Sequence, residues 1–113
     1  MSPGSVGAIV VRDAAPLFAA LGDETRLGIL LRLSKEGPAS IATLGADAQV
    51  SRQAVTKHLE VLESAGLVQG RREGRERIWA VERRRLARAG EYLERISRQW
   101  DDALERLRLH VEE

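Results

Sequence analysis

The sequence VSRQAVTKHLEVLESA, at residues 50–65, holds the clearest helical pattern of this 113-residue chain. Val55, Leu59 and Leu62 recur at helical spacing and predict one buried stripe. Ser51 precedes the stripe, where its hydroxyl can accept a free backbone N–H of the first turn. The pattern therefore predicts an amphipathic helix that begins just after Ser51.

Polar side chains that can donate hydrogen bonds lie off this stripe, mostly in the first two turns of the helix. They are Arg52, Gln53, Thr56, Lys57 and His58, with Ser51 at the start. No acidic residue stands among them, and the positive end of the helix dipole also favours an anion there. A helix whose first turns enter a DNA major groove needs such donors for phosphates and base edges. An ordinary solvated helix face is the alternative. For His58 a hydrogen bond within the helix bundle is a further alternative, although we favour contact with DNA.

A short helix and a tight turn precede this helix. Residues 40–48 predict the short helix, with Ile41 and Leu44 facing inward, and residues 49–50 predict the turn. Two helices joined in this way, with donors on the first turns of the second, are typical of a helix-turn-helix. The sequence therefore predicts this motif over residues 40–65.

A hairpin with an arginine-rich tip follows the helix-turn-helix. Residues 67–72 and 75–81 predict two strands joined by a turn at residues 73–74. The arginines around the tip are Arg71, Arg72, Arg75 and Arg77. A hairpin in this position, over residues 67–81, predicts a wing whose guanidinium groups reach phosphates or a narrow minor groove. Because a two-stranded hairpin is marginal alone, we expect it to pack on the helices.

Positive charge is concentrated in the same region, although the net charge of the whole chain is only +1. Residues 51–90 carry 10 basic and 5 acidic side chains, whereas residues 1–50 carry 4 and 5 and residues 91–113 carry 4 and 7. A local basic surface is the electrostatic mark of nucleic-acid binding. The distribution favours double-stranded DNA as the partner. The alternative, a protein-interaction winged-helix module without DNA binding, predicts neutral or acidic residues here.

The last part of the chain, residues 83–112, predicts one long helix with apolar residues in heptad register. At 1.5 Å per residue this helix spans about 45 Å, which is too long for a chain of this size to cover along one face. Packing against a second copy of the chain would bury the apolar face of this helix, so we expect a homodimer whose interface includes the first helix. The predicted interface residues are Leu17, Phe18 and Leu21 of the first helix and Leu86, Leu93, Ile96, Trp100, Leu104 and Leu107 of the last.

Two further helices are predicted before residue 40. The first has one apolar face, begins at a cap formed by Asp13 and follows a flexible arm at residues 1–13. The second, residues 24–35, is capped by Asp23. Its residues expected in the core are Leu27, Leu30 and Leu31, with Ile29 and Leu33 beside them.

The composition excludes several other classes of protein. The chain has no cysteine, which excludes disulfides, thiolate metal sites and thiol redox sensing and fits a reducing cytoplasm. The apolar run at residues 7–11 is too short to span a membrane, and no basic segment precedes it as in a signal peptide. No glycine-rich phosphate loop precedes a helix, and the two histidines are far apart in sequence, so we expect neither an enzyme nor a cofactor.

Several stretches of the chain together resemble one known family. They are LFAALGDETRL at residues 17–27, Ser51 with Val55, HL at 58–59, VL at 61–62, AGLV at 65–68 and RREGR at 71–75. In these stretches the chain resembles the ArsR family of bacterial winged helix-turn-helix repressors, and the match covers residues 14–81. The resemblance implies a homodimer built from the first and last helices. It also implies operator binding through Ser51, Arg52, Gln53, Thr56, Lys57, His58 and the wing arginines.

The chain departs from the metal sensors of that family. Those sensors often carry a Cys-x-Val-Cys sequence around the third helix, where residues 43–47 here contain no cysteine. A second family site uses Asp and His pairs on the last helix, where this chain has Asp101, Asp102, His110 and Glu113 but only one histidine. We therefore expect His110 to pack on the heptad seam and expect no metal, as in the metal-free branch. The alternative is a metal site formed by His110 and Glu113 together with residues of a partner chain. An unidentified small-molecule effector at the dimer interface is compatible with the same fold.

These patterns predict a mainly α protein with a small β-hairpin, a winged helix-turn-helix domain at residues 14–113 with a long C-terminal dimerisation helix. The predicted function is sequence-specific binding of a two-fold DNA operator by a homodimer that represses transcription.

Overall fold

The computed structural model of the protein describes residues 11–46 and 50–112. Within those residues the chain forms five helices and three short strands. In order they are α1 (Val11–Leu21), α2 (Glu24–Glu36), β1 (Ala39–Ser40), α3 (Ile41–Ala46), α4 (Arg52–Ser64), β2 (Val68–Glu73), β3 (Glu76–Val81) and α5 (Arg83–Glu112). The predicted mainly α fold with a hairpin and a long last helix is confirmed. None of the helices in this part of the chain is both long and apolar enough to cross a membrane.

One hydrophobic core joins α1, α2, α4, the hairpin and the first turns of α5. Its largest fully buried side chains are Trp79, Leu17, Leu59, Leu62, Leu67, Val55 and Val68. The stripe predicted on α4 is confirmed, because Val55, Leu59 and Leu62 are all among them. Burying an aliphatic side chain of this size contributes roughly 1.5–3 kcal/mol. The core therefore fixes which face of α4 turns inward and which remains available for contact.

The beginning of α1 differs from the prediction. The helix starts at Val11, so Asp13 lies in its first turn and is not the residue that precedes it. Residues 11–13, assigned to the arm from the sequence, belong to α1, and residues 1–10 lie outside the described residues. An acidic side chain in the first turn is still favourable, because the helix dipole is positive there.

The rotation of α2 about its axis also differs from the prediction. Ile29, Leu30 and Leu33 are buried, whereas Leu27 and Leu31 are exposed. The guanidinium of Arg26 explains this rotation, because its Nε donates to the carbonyl of Ala20 at 2.7 Å and its Nη2 to that of Ala19 at 3.3 Å. These bonds satisfy carbonyls near the end of α1 and fix the start of α2 against it. The Asp23 cap is confirmed, with its carboxylate accepting the N–H of Arg26 at 3.0 Å.

The sheet has one more strand than the predicted hairpin. The strand order is β1-β3-β2, and all neighbours are antiparallel. β1 pairs Ala39 with Trp79 and Ser40 with Ile78. The two-residue β1 thereby ties the middle of β3 to the beginning of α3, whose first turn is capped by Ser40 through the N–H of Thr43 at 3.2 Å. The predicted short helix at residues 40–48 is observed as Ile41–Ala46, and residues 47–49 lie outside the described residues.

Most of α5 projects away from the core. Ala89 and Tyr92 are its buried residues, and no described residue after Tyr92 is buried. The principal extents of the molecule, 67 × 31 × 20 Å, reflect this projection. The C-terminal two thirds of α5 therefore contribute little to the core of a single chain.

Candidate DNA-binding interface

The N-terminal turns of α4 present polar side chains on the face opposite the core. Ser51 caps the helix, since its hydroxyl accepts the N–H of Ala54 at 3.1 Å, which confirms the predicted helix start. Gln53 and Lys57 lie about 160° around the helix from Val55, at 100° per residue, and both are exposed. Neither has an intramolecular hydrogen bond or ion pair among the described residues. This face is therefore free to bind an external partner.

Two other residues of the predicted set are held at the edges of this face. The hydroxyl of Thr56 donates to the carbonyl of Arg52 at 2.8 Å, so it is partly engaged within α4. The Arg52 stem lies near Gly45 of α3, because a Cβ at Gly45 would stand 3.4 Å from Arg52 Cγ. The guanidinium of Arg52 has no acidic partner in the described part of the chain. It can extend from this edge toward an anion.

His58 lies on the inner flank of α4, which favours its alternative interpretation. Its side chain is 22% exposed, and its Nδ1 lies 3.9 Å from Oδ2 of Asp23, the cap of α2. The pKa of Asp23 is lowered chiefly by the hydrogen bond from the backbone N–H of Arg26, and the nearby charges of Arg26 and His58 lower it further. His58 thus packs between α4 and the start of α2. We remove it from the set of candidate DNA contacts.

The wing exposes two arginines without acidic partners. The hairpin turns at Gly74 and Arg75, since the last cross-strand pair is Glu73 with Glu76. Gly74 has a φ of 63°, a conformation that glycine adopts without steric cost. Arg72 and Arg75 are exposed and make no ion pair within the described residues. Their guanidinium groups are the ones at the tip available to phosphates.

The other two wing arginines are held by contacts within the chain. Arg71 pairs with Glu73 at 2.8 Å. Arg77 lies across from Arg72 near the turn, but its side chain folds back along β3, where its Nη2 donates to Oε2 of Glu63 at 2.9 Å and its guanidinium carbon stands 4.5 Å from the centre of the Trp79 ring. The register thus keeps Arg77 in the predicted cluster around the tip, and its contact with DNA stays a prediction, although its guanidinium is engaged by Glu63 and Trp79. Glu63 is a residue that the sequence-based set missed. The feature of the sequence that could have indicated a role for Glu63 is an acidic side chain in the last turn of α4, within a basic region.

The exposed part of α5 carries a row of large apolar side chains. Those that the sequence assigned to the dimer interface are Leu93, Ile96, Trp100, Leu104 and Leu107, all between 45% and 63% exposed. Phe18 and Leu86 are partly buried against the core, as is Leu21. Leu17 is fully buried within the chain itself, so it is not available to a partner and we remove it from the predicted interface.

No group of three or more potential metal ligands occurs among the described residues. His110 is exposed on α5, so it does not pack within a single chain, and Glu113 lies outside the described residues.

Comparison with known proteins places this arrangement among transcriptional regulators. A family model described as a helix-turn-helix domain matches residues 21–71. An HTH-type transcriptional regulator of Mycobacterium tuberculosis is 40% identical over 87 residues, which cover 77% of this chain and 78% of that protein. The arsenical resistance operon repressor of Escherichia coli is 39% identical over 59 residues, covering 52% of this chain and 50% of the repressor. The solved structure of an ArsR-like transcriptional regulator from Rhodococcus sp. RHA1 has a TM-score of 0.77 and 38% identity, covering 87% of this chain and 92% of its own.

Proposed function

Because the chain belongs to the ArsR family of winged helix-turn-helix transcriptional regulators, we propose that it represses transcription as a homodimer bound to a two-fold DNA operator. Its relatives are regulators and not enzymes, and the chain is accordingly a DNA-binding transcriptional regulator. In the proposed complex, α4 reads bases, the wing contacts the DNA backbone, and α5 holds two copies of the chain together.

The observation that carries the proposal is the free polar face of α4. Arg52, Gln53 and Lys57 have no acidic partner within the described residues, and the helix dipole adds positive potential at their end of α4. Arg52 or Gln53 can make bidentate hydrogen bonds to a guanine or an adenine edge, while Lys57 suits a phosphate. Arg72 and Arg75 would add phosphate contacts from the wing.

The exposed row on α5 supports pairing with a second copy because it is symmetric about one residue. Leu93 and Leu107 lie seven residues before and after Trp100, and Ile96 and Leu104 lie four before and after it. A two-fold axis beside Trp100 would therefore place leucine opposite leucine and isoleucine opposite leucine in an antiparallel helix pair. Isologous contact of this kind is the usual mode of homodimer formation.

The charge along α5 supports the same antiparallel orientation. Residues 82–90 carry 4 basic and 1 acidic side chains, a net charge of +3, whereas residues 91–113 carry 4 and 7, a net charge of −3. An antiparallel pair centred beside Trp100 sets Arg88 beside the partner's Glu112, and it also opposes the two helix dipoles favourably. A parallel pair would set like charges together.

Cysteine cross-linking tests this dimer directly, since the natural chain has no cysteine. In an antiparallel pair the double variant Leu93→Cys, Leu107→Cys should form disulfide-linked dimers, because each new thiol faces its counterpart across the pair. Leu93→Cys alone should not, because its two copies would stand about 21 Å apart along the helices, beyond the reach of a disulfide. Efficient cross-linking by Leu93→Cys alone would contradict the orientation.

Base reading by α4 is tested by selection from a random duplex library. Arg52→Ala or Gln53→Ala should weaken binding to the wild-type consensus by roughly 1–3 kcal/mol and relax the preference at one base pair of each half-site. If a variant binds all duplexes more weakly by the same factor, base reading by that residue is refuted.

A further inference from the structure

The carboxylate of Glu63 joins the last turn of α4 to both long strands of the wing. Its Oε2 accepts the backbone N–H of Gly70, on β2, at 3.3 Å. The same oxygen accepts Nη2 of Arg77, on β3, at 2.9 Å. One carboxylate oxygen therefore connects the proposed base-reading helix with both strands of the proposed phosphate-contacting hairpin.

Arg77 has one further contact besides Glu63. Its guanidinium lies over the ring of Trp79, at 4.5 Å from the ring centre, and Trp79 is fully buried in the core. Gly70 supplies the space for this arrangement. A Cβ at that position would overlap the Arg77 guanidinium and would come within 3.0 Å of Cζ3 of Trp79. The bond from Glu63 thus ends on a guanidinium that also packs on the buried ring of Trp79.

The stability of α4 alone does not explain an acidic residue at this position. Glu63 lies in the last turn, where the helix dipole is negative and a carboxylate is unfavourable. A negative charge near a DNA-binding surface also repels phosphates. Both effects are unfavourable to Glu63, so its contacts with Gly70 and Arg77 are the feature that accounts for it.

The wing tip lies far enough from this junction for small rotations to matter. Gly74 lies four positions after Gly70, which is about 13 Å of extended chain. A rotation of roughly 15° about Gly70 moves the tip by about 3 Å, as much as the length of a hydrogen bond. Contacts of Arg75 with a phosphate therefore depend on a fixed angle between α4 and the wing.

We propose that Glu63 is a positioning residue that fixes the wing relative to α4, so that both elements engage one DNA site together. This inference rests on the proposed function, because it requires that α4 and the wing both touch DNA. Glu63 itself does not contact DNA. It acts through Gly70 and Arg77.

A double-mutant cycle between Glu63→Gln and Arg75→Ala tests the role in the full-length protein. The probe is a 30-base-pair duplex selected by the wild-type protein from a random library, and binding is measured over a range of salt concentrations. Glu63→Gln removes the charge that holds Arg77 but keeps the size of the side chain. We expect it to weaken binding at least about fivefold and to lower the salt slope by about 0.9, as expected for one lost phosphate contact. In that background Arg75→Ala should cost less than about twofold, compared with fivefold or more in the wild-type chain.

Glu60→Gln is the matched control, because Glu60 is an exposed carboxylate on α4 with no partner in the described part of the chain. Removing its charge should leave binding unchanged or tighten it slightly. Thermal unfolding of Glu63→Gln should match that of the control. A loss of fold stability alone would lower the active fraction of the protein without changing the salt slope of binding, so the slope distinguishes the two causes.

Two results would overturn the positioning role. One is that Glu63→Gln tightens binding as Glu60→Gln does. The other is that Arg75→Ala costs the same factor in both backgrounds. Failure of the proposed function is distinguishable from these, because the wild-type protein would then select no preferred duplex from the library.

Discussion

The matched variants Leu107→Ala and Leu109→Ala give the most stringent test of the proposed dimer face. Leu107 is 58% exposed and Leu109 is 50% exposed, so the two leucines are nearly equal in a single chain. They differ in direction, because two residues turn the helix by about 200°. Leu107 belongs to the row centred on Trp100, whereas Leu109 faces away from it.

The expected size of the effect follows from the area involved. Full burial of a leucine contributes roughly 1.5–3 kcal/mol, so burying the exposed 58% of Leu107 contributes about 1–1.7 kcal/mol per copy. A two-fold interface contains two copies, which gives about 2–3.5 kcal/mol for the dimer. Leu107→Ala should therefore raise the dimer dissociation constant by a factor of roughly 30 to 300, and Leu109→Ala by less than about twofold.

Sedimentation equilibrium over a range of protein concentrations measures both constants. Circular dichroism at the same concentrations checks that both variants keep their helix content. Equal dissociation constants for the two variants, or a larger effect of Leu109→Ala, would refute the assignment of the interface to this row.

Three further outcomes are expected. Arg75→Ala should weaken binding to all duplexes alike and lower the salt slope by about 0.9, and a changed sequence preference would contradict a phosphate contact. The lowered pKa of Asp23 means that its charged form stabilises the fold above pH 3.8 and that this contribution is lost as pH falls through the folded pKa. Asp23→Asn should therefore lower the melting temperature more at pH 7 than at pH 3, and an equal loss at both pH values would exclude this cause. Gly70→Ala should destabilise the wing, because the new Cβ would overlap Arg77. Gly28→Ala should instead stabilise the protein by roughly 0.5–1 kcal/mol, because Gly28 lies inside α2 and a Cβ there meets no atom within 4 Å. Equal effects of the two variants on thermal unfolding would contradict the packing at Gly70.

Helix periodicity and capping were sufficient to predict most of the helices. The α4 stripe and the caps Ser51 and Asp23 each depend on residues within one or two turns, so local sequence determines them. The rotation of α2 could not be predicted in this way. Its leucines and Ile29 offer more than one apolar face, and the choice is made by Arg26, whose guanidinium binds carbonyls of another helix.

The residues of the candidate site also fall into those determined by local sequence and those determined by distant contacts. Exposed donors on α4 follow from the position of its buried stripe, so Gln53 and Lys57 could be predicted from the sequence. The local environments of His58 and Arg77 depend on Asp23 and Glu63, which lie 35 and 14 positions away in the chain. β1 is only two residues long, so it has no alternation that a sequence pattern could reveal. Residues that act through such distant contacts are the ones that the sequence alone misassigned or missed.

The most direct measurement of the central claim is the binding of purified protein to DNA from the region upstream of its own gene, at two salt concentrations, against random duplexes of equal length. Fluorescence anisotropy gives the affinities, and sedimentation of the complex gives the number of chains per duplex. The account predicts two chains on one site, a clear preference for the upstream DNA and a strong decrease in affinity at the higher salt concentration. Equal affinity for random DNA, or a single chain on the preferred site, would contradict it.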